Sequence, residues 1–171
     1  MEFFDVLNSR RSVRNYADQP VEDEKLDRIL EAINRAPSAG NLQALDVYVV
    51  TSAEQRMELA LAALGQNFMA QAPLSLVFCT DADRSARKYG QRGASLYCLQ
   101  DATIACTYAM LAVTALGLSS VWVGAFDDEK VLDVIDVSKS HRPVAMLSIG
   151  YAADEPRERS RRALDDLVHR V

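Results

Sequence analysis

The chain has 171 residues, 49% of them hydrophobic and 25% charged, the balance of one ordinary globular domain with enough length to bury a core. Its formal charge of −5 gives no overall pull toward nucleic acid, so no nucleic-acid partner is expected. Cys79, Cys98 and Cys106 lie in apolar surroundings without metal-like spacing, which excludes a cysteine metal site and fits buried thiols in the cytoplasm.

The first eight residues read as a short helix with Phe3, Phe4 and Leu7 on one face. The N-terminus runs from acidic to basic, the reverse of a secretory leader, and no apolar run reads as long enough to span a membrane. Residues 21–37 carry Leu26, Ile29, Leu30 and Ile33 at helical spacing, with Asp23 and Glu24 suited to the first turn and Pro37 as the stop. A polar loop, SAGNLQAL, precedes the β-branched run DVYVVT, a predicted strand. Ser52 and Gln55 have capping-box spacing and open a helix through about Leu64. PLSLVFCT predicts a second, central strand, and residues 81–93 read as a loop with a short helical part.

From Ala94 to Leu116 runs a long Ala-rich helix, apolar on more than one side, which points to a subunit interface. Gly117 caps it. A strand SSVWVG, a helix DDEKVLDVI and a strand RPVAMLSIG follow, making four or five strands in a layered α+β domain. The tail from Ala152 to Val171 reads either as a frayed end or as an arm for a partner.

Arg10, Arg11 and Arg14 crowd around Ser12, and Arg157, Arg159, Arg161 and Arg162 crowd in the tail. Guanidinium forks suit phosphate oxygens, yet such clusters equally form solvated surfaces. Ser38, Asn41 and Gln43 gather polar side chains after Pro37, as a capping loop or as amides that read a heterocycle's edge. Gly124 and Ala125 end a strand as a tight turn or as backbone donors for a ligand. His141 and His169 stand far apart, which argues against a zinc site, and neither the dinucleotide nor the P-loop glycine pattern occurs.

Four stretches in order, RRSVRNYADQPV, APSAGNLQ, QDATIACTYAMLAVTALGLSSVWVGAFD and IGYAADEPRERSRRALDDLV, resemble the FMN-dependent nitroreductase family over nearly the whole chain. The resemblance implies a three-layer α+β fold, a central mixed or antiparallel sheet between helices, in an intertwined homodimer. One domain would span residues 1–171, its arm from about residue 152 crossing to the partner. Arg10 and Ser12 would hold the FMN phosphate, Arg161, or its competitor Arg159, would join them, and Arg11 would point away. Arg14 would reach the ring and offset charge on the reduced flavin. Pro37, Ser38 and Asn41 would line the flavin of the other subunit. The backbone of Gly124 and Ala125 would meet its N5–O4 edge. The implied activity is hydride transfer from NAD(P)H through flavin N5 to a nitroaromatic, a quinone or a flavin. The same fold also serves specialised redox reactions, and a non-catalytic flavin dimer remains the alternative class.

Three departures stand out. The family commonly has Gln-Pro-Trp where this chain has Gln43-Ala44-Leu45, and often a Glu where this chain has Gly124. No helical excursion over the pocket is evident, so the wall or lid is expected between Asp81 and Ala94, with Tyr89 and Arg92 facing the pocket.

Overall fold

The computed structural model describes residues 2–138 and 140–171. Four strands form one sheet in the order β1-β2-β4-β3: β1 (Leu45–Val50), β2 (Leu74–Thr80), β3 (Ser119–Val123) and β4 (Arg142–Gly150). All three neighbouring pairs are antiparallel. β2 is an inner strand, as expected, and all seven of its residues, Ser75 and Thr80 included, are buried.

Alternation along β2 assigns its side chains to two helical layers. Leu74, Leu76 and Phe78 join Ile29 of α2 (Asp23–Asn34) and Ala105, Cys106, Ala109 and Val113 of α6 (Cys98–Ala115). Val77 and Cys79 join Leu59 of α3 (Ala53–Ala62), Met69 of α4 (Phe68–Gln71) and Val131 of α7 (Asp128–Val134). A sheet covered on both faces needs no polar side, which is why β2 and β4 are apolar almost throughout. The result is a three-layer α+β arrangement of helices, sheet and helices, as expected.

Local signals behave as their chemistry requires. The Ser52 hydroxyl accepts from the Gln55 N–H, and Asp127 accepts from the N–H groups of Glu129 and Lys130 to start α7. Gly117 takes φ +75° after α6. Its N–H donates to Thr114 and the Leu118 N–H to Val113, a Schellman closure that glycine permits without strain.

Two expectations change. Residues 81–93, expected as a loop with a short helical part, form the longer α5 (Ala82–Arg92), because Asp81 caps it by accepting from the Arg84 N–H at 2.9 Å. The short α4 carries no signal of its own in the sequence. The helical run from Ala82 to Ala115 is also long and apolar enough to cross a membrane by length and composition, contrary to the expectation above. One face of that run packs against the sheet through Ala105, Cys106, Ala109 and Val113.

All three cysteines are free and buried. Burial first, then the charges of Asp46 and Asp128, push the Cys79 thiol from its ordinary 9.0 up to about 12. Burial also raises Cys98 and Cys106. With folded-state values above the unfolded ones, the stability tied to the neutral thiols is whole below pH 9 and is lost as pH rises further. The native protein is therefore expected to give almost no reaction with a disulfide reagent at pH 8, and full reaction once unfolded. Fast labelling of the native chain would contradict this packing.

Candidate functional site

The basic N-terminal stretch is placed by stitching to the sheet edge. After α1 (Phe3–Ser9), Ser12 makes a parallel bridge to Ser120 and the Val13 N–H donates to the Ser120 carbonyl at 3.1 Å. Tyr16 bridges Ala152. Val13 and Tyr16 turn inward and are buried, so Ser12 and Arg14 are left exposed. The Tyr16 hydroxyl lies 2.9 Å from the Val13 carbonyl and 3.1 Å from the Ser148 carbonyl and donates to them. Burial raises its pKa, so the phenol stays a neutral donor. Gly150 makes room for this ring, since a Cβ there would lie 3.0 Å from Tyr16 Cδ1 and 2.7 Å from Pro73 Cδ.

This segment and the tail enclose a cavity of about 580 Å³. Arg10, Ser12 and Arg14 line it from one chain end, and Arg157, Arg159 and Arg161 from the other. Asp154 and Glu155 are its acids, and Asp154 already accepts from Asn15 Nδ2 at 3.1 Å. Arg10 is half-buried, and burial, then Arg161, then Arg11 lower its pKa. Cations crowded in this way are relieved by a bound anion. Arg11, expected to point away, lines the same cavity. Its guanidinium is engaged elsewhere, by the carbonyls of Asn8 and Arg10 and by Glu158 at 3.4 Å. Arg14 stacks over Phe68, 5.7 Å from the ring centroid.

Pro37 and Ser38 line a different cavity of about 610 Å³, with Tyr97, Gln100, Asp101 and Thr103 among its other walls. The two cavities share no residue on one chain. Asn41 is exposed and lines neither. The loop from Ser38 to Ala44 is tightly wound: Gly40, Asn41 and Gln43 have φ of +57°, +56° and +52°. Two non-glycine residues in the left-handed region need outside support.

Asp101 supplies it. This α6 carboxylate, 2% exposed, accepts from the Ala39 N–H at 2.9 Å and the Ala44 N–H at 3.3 Å, and so brackets the loop. Position 44 is where the family resemblance sets proline, which has no N–H to give; alanine here completes the bracket. The sequence reading missed Asp101. Its signal was that no other charged residue occurs between Ala94 and Leu116.

Gly124 and Ala125 are exposed after β3 and line neither cavity. Their turn is anchored by Gln66 Nε2 donating to the Ala125 carbonyl and by the Asp127 N–H donating to Ala62. Tyr89 and Arg92, expected to face the pocket, are not among the walls of this cavity; both contact Tyr97, which lines it. No group of side chains able to hold a metal ion occurs among the described residues.

A sheet between helical layers, with an arginine-walled cavity where the two chain ends meet, defines a small α+β protein. Comparison with known proteins makes this specific. The profile of the nitroreductase family matches residues 7–68 and 60–151. An FMN reductase [NAD(P)H] of Bacillus subtilis is 31% identical over 183 aligned positions, covering 98% of this chain and 73% of that protein. The solved structure of B. megaterium NfrA2 superposes with a TM-score of 0.91 at 28% identity, covering 99% of this chain and 74% of that one. An FMN-dependent nitroreductase of Clostridium difficile gives 0.79 at 29% identity, covering 95% and 92%. The chain belongs to the nitroreductase family.

Proposed function

We propose that the chain is an FMN-dependent NAD(P)H oxidoreductase that works as a homodimer on a small organic acceptor, a nitroaromatic, a quinone or a flavin. The observation that carries this reading is the convergence of Arg10, Ser12 and Arg14 with Arg159 and Arg161 on one cavity. Those donors fit a phosphate, and the names of the relatives, FMN reductase and FMN-dependent nitroreductase, supply its owner.

In this reading Arg10 and Ser12 hold the phosphate. Arg161 is favoured over Arg159 as their partner, because Arg161 bears on the Arg10 charge. Arg14 brings positive charge toward the ring. Pro37, Ser38 and Asn41 serve the cavity of the other subunit, which explains why one chain keeps them apart from its own arginines. Gly124 and Ala125 contribute backbone from an open turn. Bound FMN supplies the two-electron carrier; the chain binds, orients and shields it.

The dimer has support of its own. Phe4 on α1 is 73% exposed and Leu164 in the tail is 72% exposed. An apolar groove of about 520 Å³ runs between α1 and α6, walled by Phe3, Tyr108 and Leu111. Exposed apolar surface of this kind marks an interface. Tyr108→Glu is expected to turn the dimer into a folded monomer, read by light scattering with circular dichroism as the check on folding. A wild-type monomer, or a variant that stays dimeric, would contradict the assignment of this face.

The cofactor is tested by titrating flavin-free protein with FMN and with riboflavin while following flavin fluorescence. FMN should bind more tightly than riboflavin by about tenfold or more, since only FMN carries the phosphate. Equal affinities would overturn the role given to the arginine cavity.

A further inference from the structure

We infer that Arg92 and Tyr97 form an anion-recognition site at the edge of the cavity lined by Pro37 and Ser38, selecting substrates that carry a terminal phosphate or carboxylate. The inference rests on the oxidoreductase reading above and names the substrate class of that site.

The backbone is the first observation. Near its C-terminal end α5 is broken at Gly90, with φ +55° and ψ −142°, a conformation that strains any other residue. The chain then passes through Gly93, where a Cβ would lie 2.8 Å from the Ser85 carbonyl carbon and 2.9 Å from its Oγ. Residues Gly93–Tyr97 form a π-helical turn before α6. Such turns are rare and concentrate at functional sites. A break, a close approach and a π turn within eight residues all bear on the placement of Arg92 and Tyr97.

The side chains are the second. Arg92 Nε donates to the Tyr97 hydroxyl at 3.0 Å, and its guanidinium lies 5.4 Å from the Tyr97 ring centroid. Tyr97 meets Tyr89 edge to face at 5.1 Å. Tyr89 Oη and Lys88 Nζ close on Gly40, which joins this cluster to the loop of Ser38 and Asn41. With Nε held by the hydroxyl and Cζ over the ring of the same tyrosine, Arg92 has its remaining N–H groups left as a fork, a geometry suited to a phosphate or carboxylate.

Charge is the third. Arg84, Arg87, Lys88 and Arg92 fall within α5 in a chain of net charge −5. Among the described residues none of the four is ion-paired to a carboxylate. Asp101, the acid in the wall of the adjoining cavity, is spent on the amides of Ala39 and Ala44. Positive charge at this edge is therefore left for a ligand to answer.

A structural hook between α5 and α6 would make the same hydrogen bond without any charge requirement, and the test separates the two. The flavin-loaded full chain is assayed with NADPH against NADH at fixed acceptor, and with 4-nitrobenzoate against nitrobenzene at fixed donor. Arg92→Gln is expected to lower the kcat/KM ratio of the anionic over the less charged member in one pair by about tenfold or more. Arg92→Lys, which keeps the charge, should lose less, and the effect should shrink as salt rises. Arg87→Gln, which removes one charge from the same helix but touches none of the Tyr97 contacts, should lower that ratio less than Arg92→Gln does, and so separates the oriented fork from diffuse charge. The pair that responds identifies the source of the anion, the donor's extra phosphate or the acceptor's carboxylate. Both ratios unchanged in Arg92→Gln, or Gln restoring what Lys does not, overturns the inference. Flavin content and reduction by dithionite are recorded first. Protein that takes up no flavin refutes the oxidoreductase reading, whereas flavin-loaded, reducible protein with unchanged ratios refutes the anion site alone.

Discussion

Arg10→Ala is expected to weaken FMN binding by about 2–4 kcal/mol, about 30- to 900-fold in dissociation constant, while Arg11→Ala changes it by less than about 1 kcal/mol. The two arginines are neighbours and line one cavity, so composition and proximity would treat them alike. Their environments differ. Arg10 is half-buried, its pKa lowered by burial and by Arg161 and Arg11, and an anion relieves that repulsion. Arg11 is committed to two backbone carbonyls and to Glu158, which is largely exposed, and an ion pair of that kind is worth little. Fluorescence titration at one fixed ionic strength measures both variants. Equal losses would mean that the cavity attracts phosphate as a diffuse positive patch, and the specific role of Arg10 would fall.

The second large effect belongs to Asp101. Asp101→Ala is expected to lower stability by about 2–5 kcal/mol, because two loop amides, Ala39 N–H and the buried Ala44 N–H, lose their acceptor together. In a chain of this size that corresponds to a fall in Tm of roughly 5–15 °C. Asp101→Asn keeps the volume and one acceptor but turns a donor toward one of the amides, so it should fall between wild type and alanine. The loop carrying Ser38 and Asn41 would lose the support for its left-handed residues, and flavin affinity should drop with it. Thermal unfolding followed by circular dichroism checks the first part. A Tm within about 1 °C of wild type for Asp101→Ala would show that the loop holds itself.

The sequence was most informative where the physics is local. Ser52, Asp23 and Gly117 act within a turn of their own position, and the boundaries they mark are close to those found. β2 was legible as an inner strand because a mostly apolar run, with Ser75 and Thr80 its only polar residues, has no polar face to offer solvent. α5 was misread since its polar composition and Gly90 mimic a loop, while the cap that starts it depends on one side chain, Asp81. Asp101 was missed for a different reason. Its partners lie 57 and 62 residues away, and only the folded chain shows that one carboxylate answers two amides. The meeting of Arg10 with Arg161 was likewise beyond composition or periodicity. It came from the order of four family-like stretches, and the cavity supports it by bringing both chain ends to one place. Side-chain detail was less legible: Arg11 lines the cavity it was expected to avoid, and of Tyr89, Arg92 and Tyr97 only Tyr97 lines the cavity of Pro37 and Ser38.

The central claim is that this chain holds FMN and passes electrons from a nicotinamide nucleotide through it. An anaerobic absorption titration tests that most directly. Protein purified and loaded with FMN should show the two visible and near-ultraviolet bands of oxidised flavin, shifted from those of free FMN. Adding NADH or NADPH should bleach them, and a quinone or nitroaromatic acceptor should restore them. Protein that takes up no FMN, or whose bound flavin stays oxidised with both nucleotides, would contradict the account.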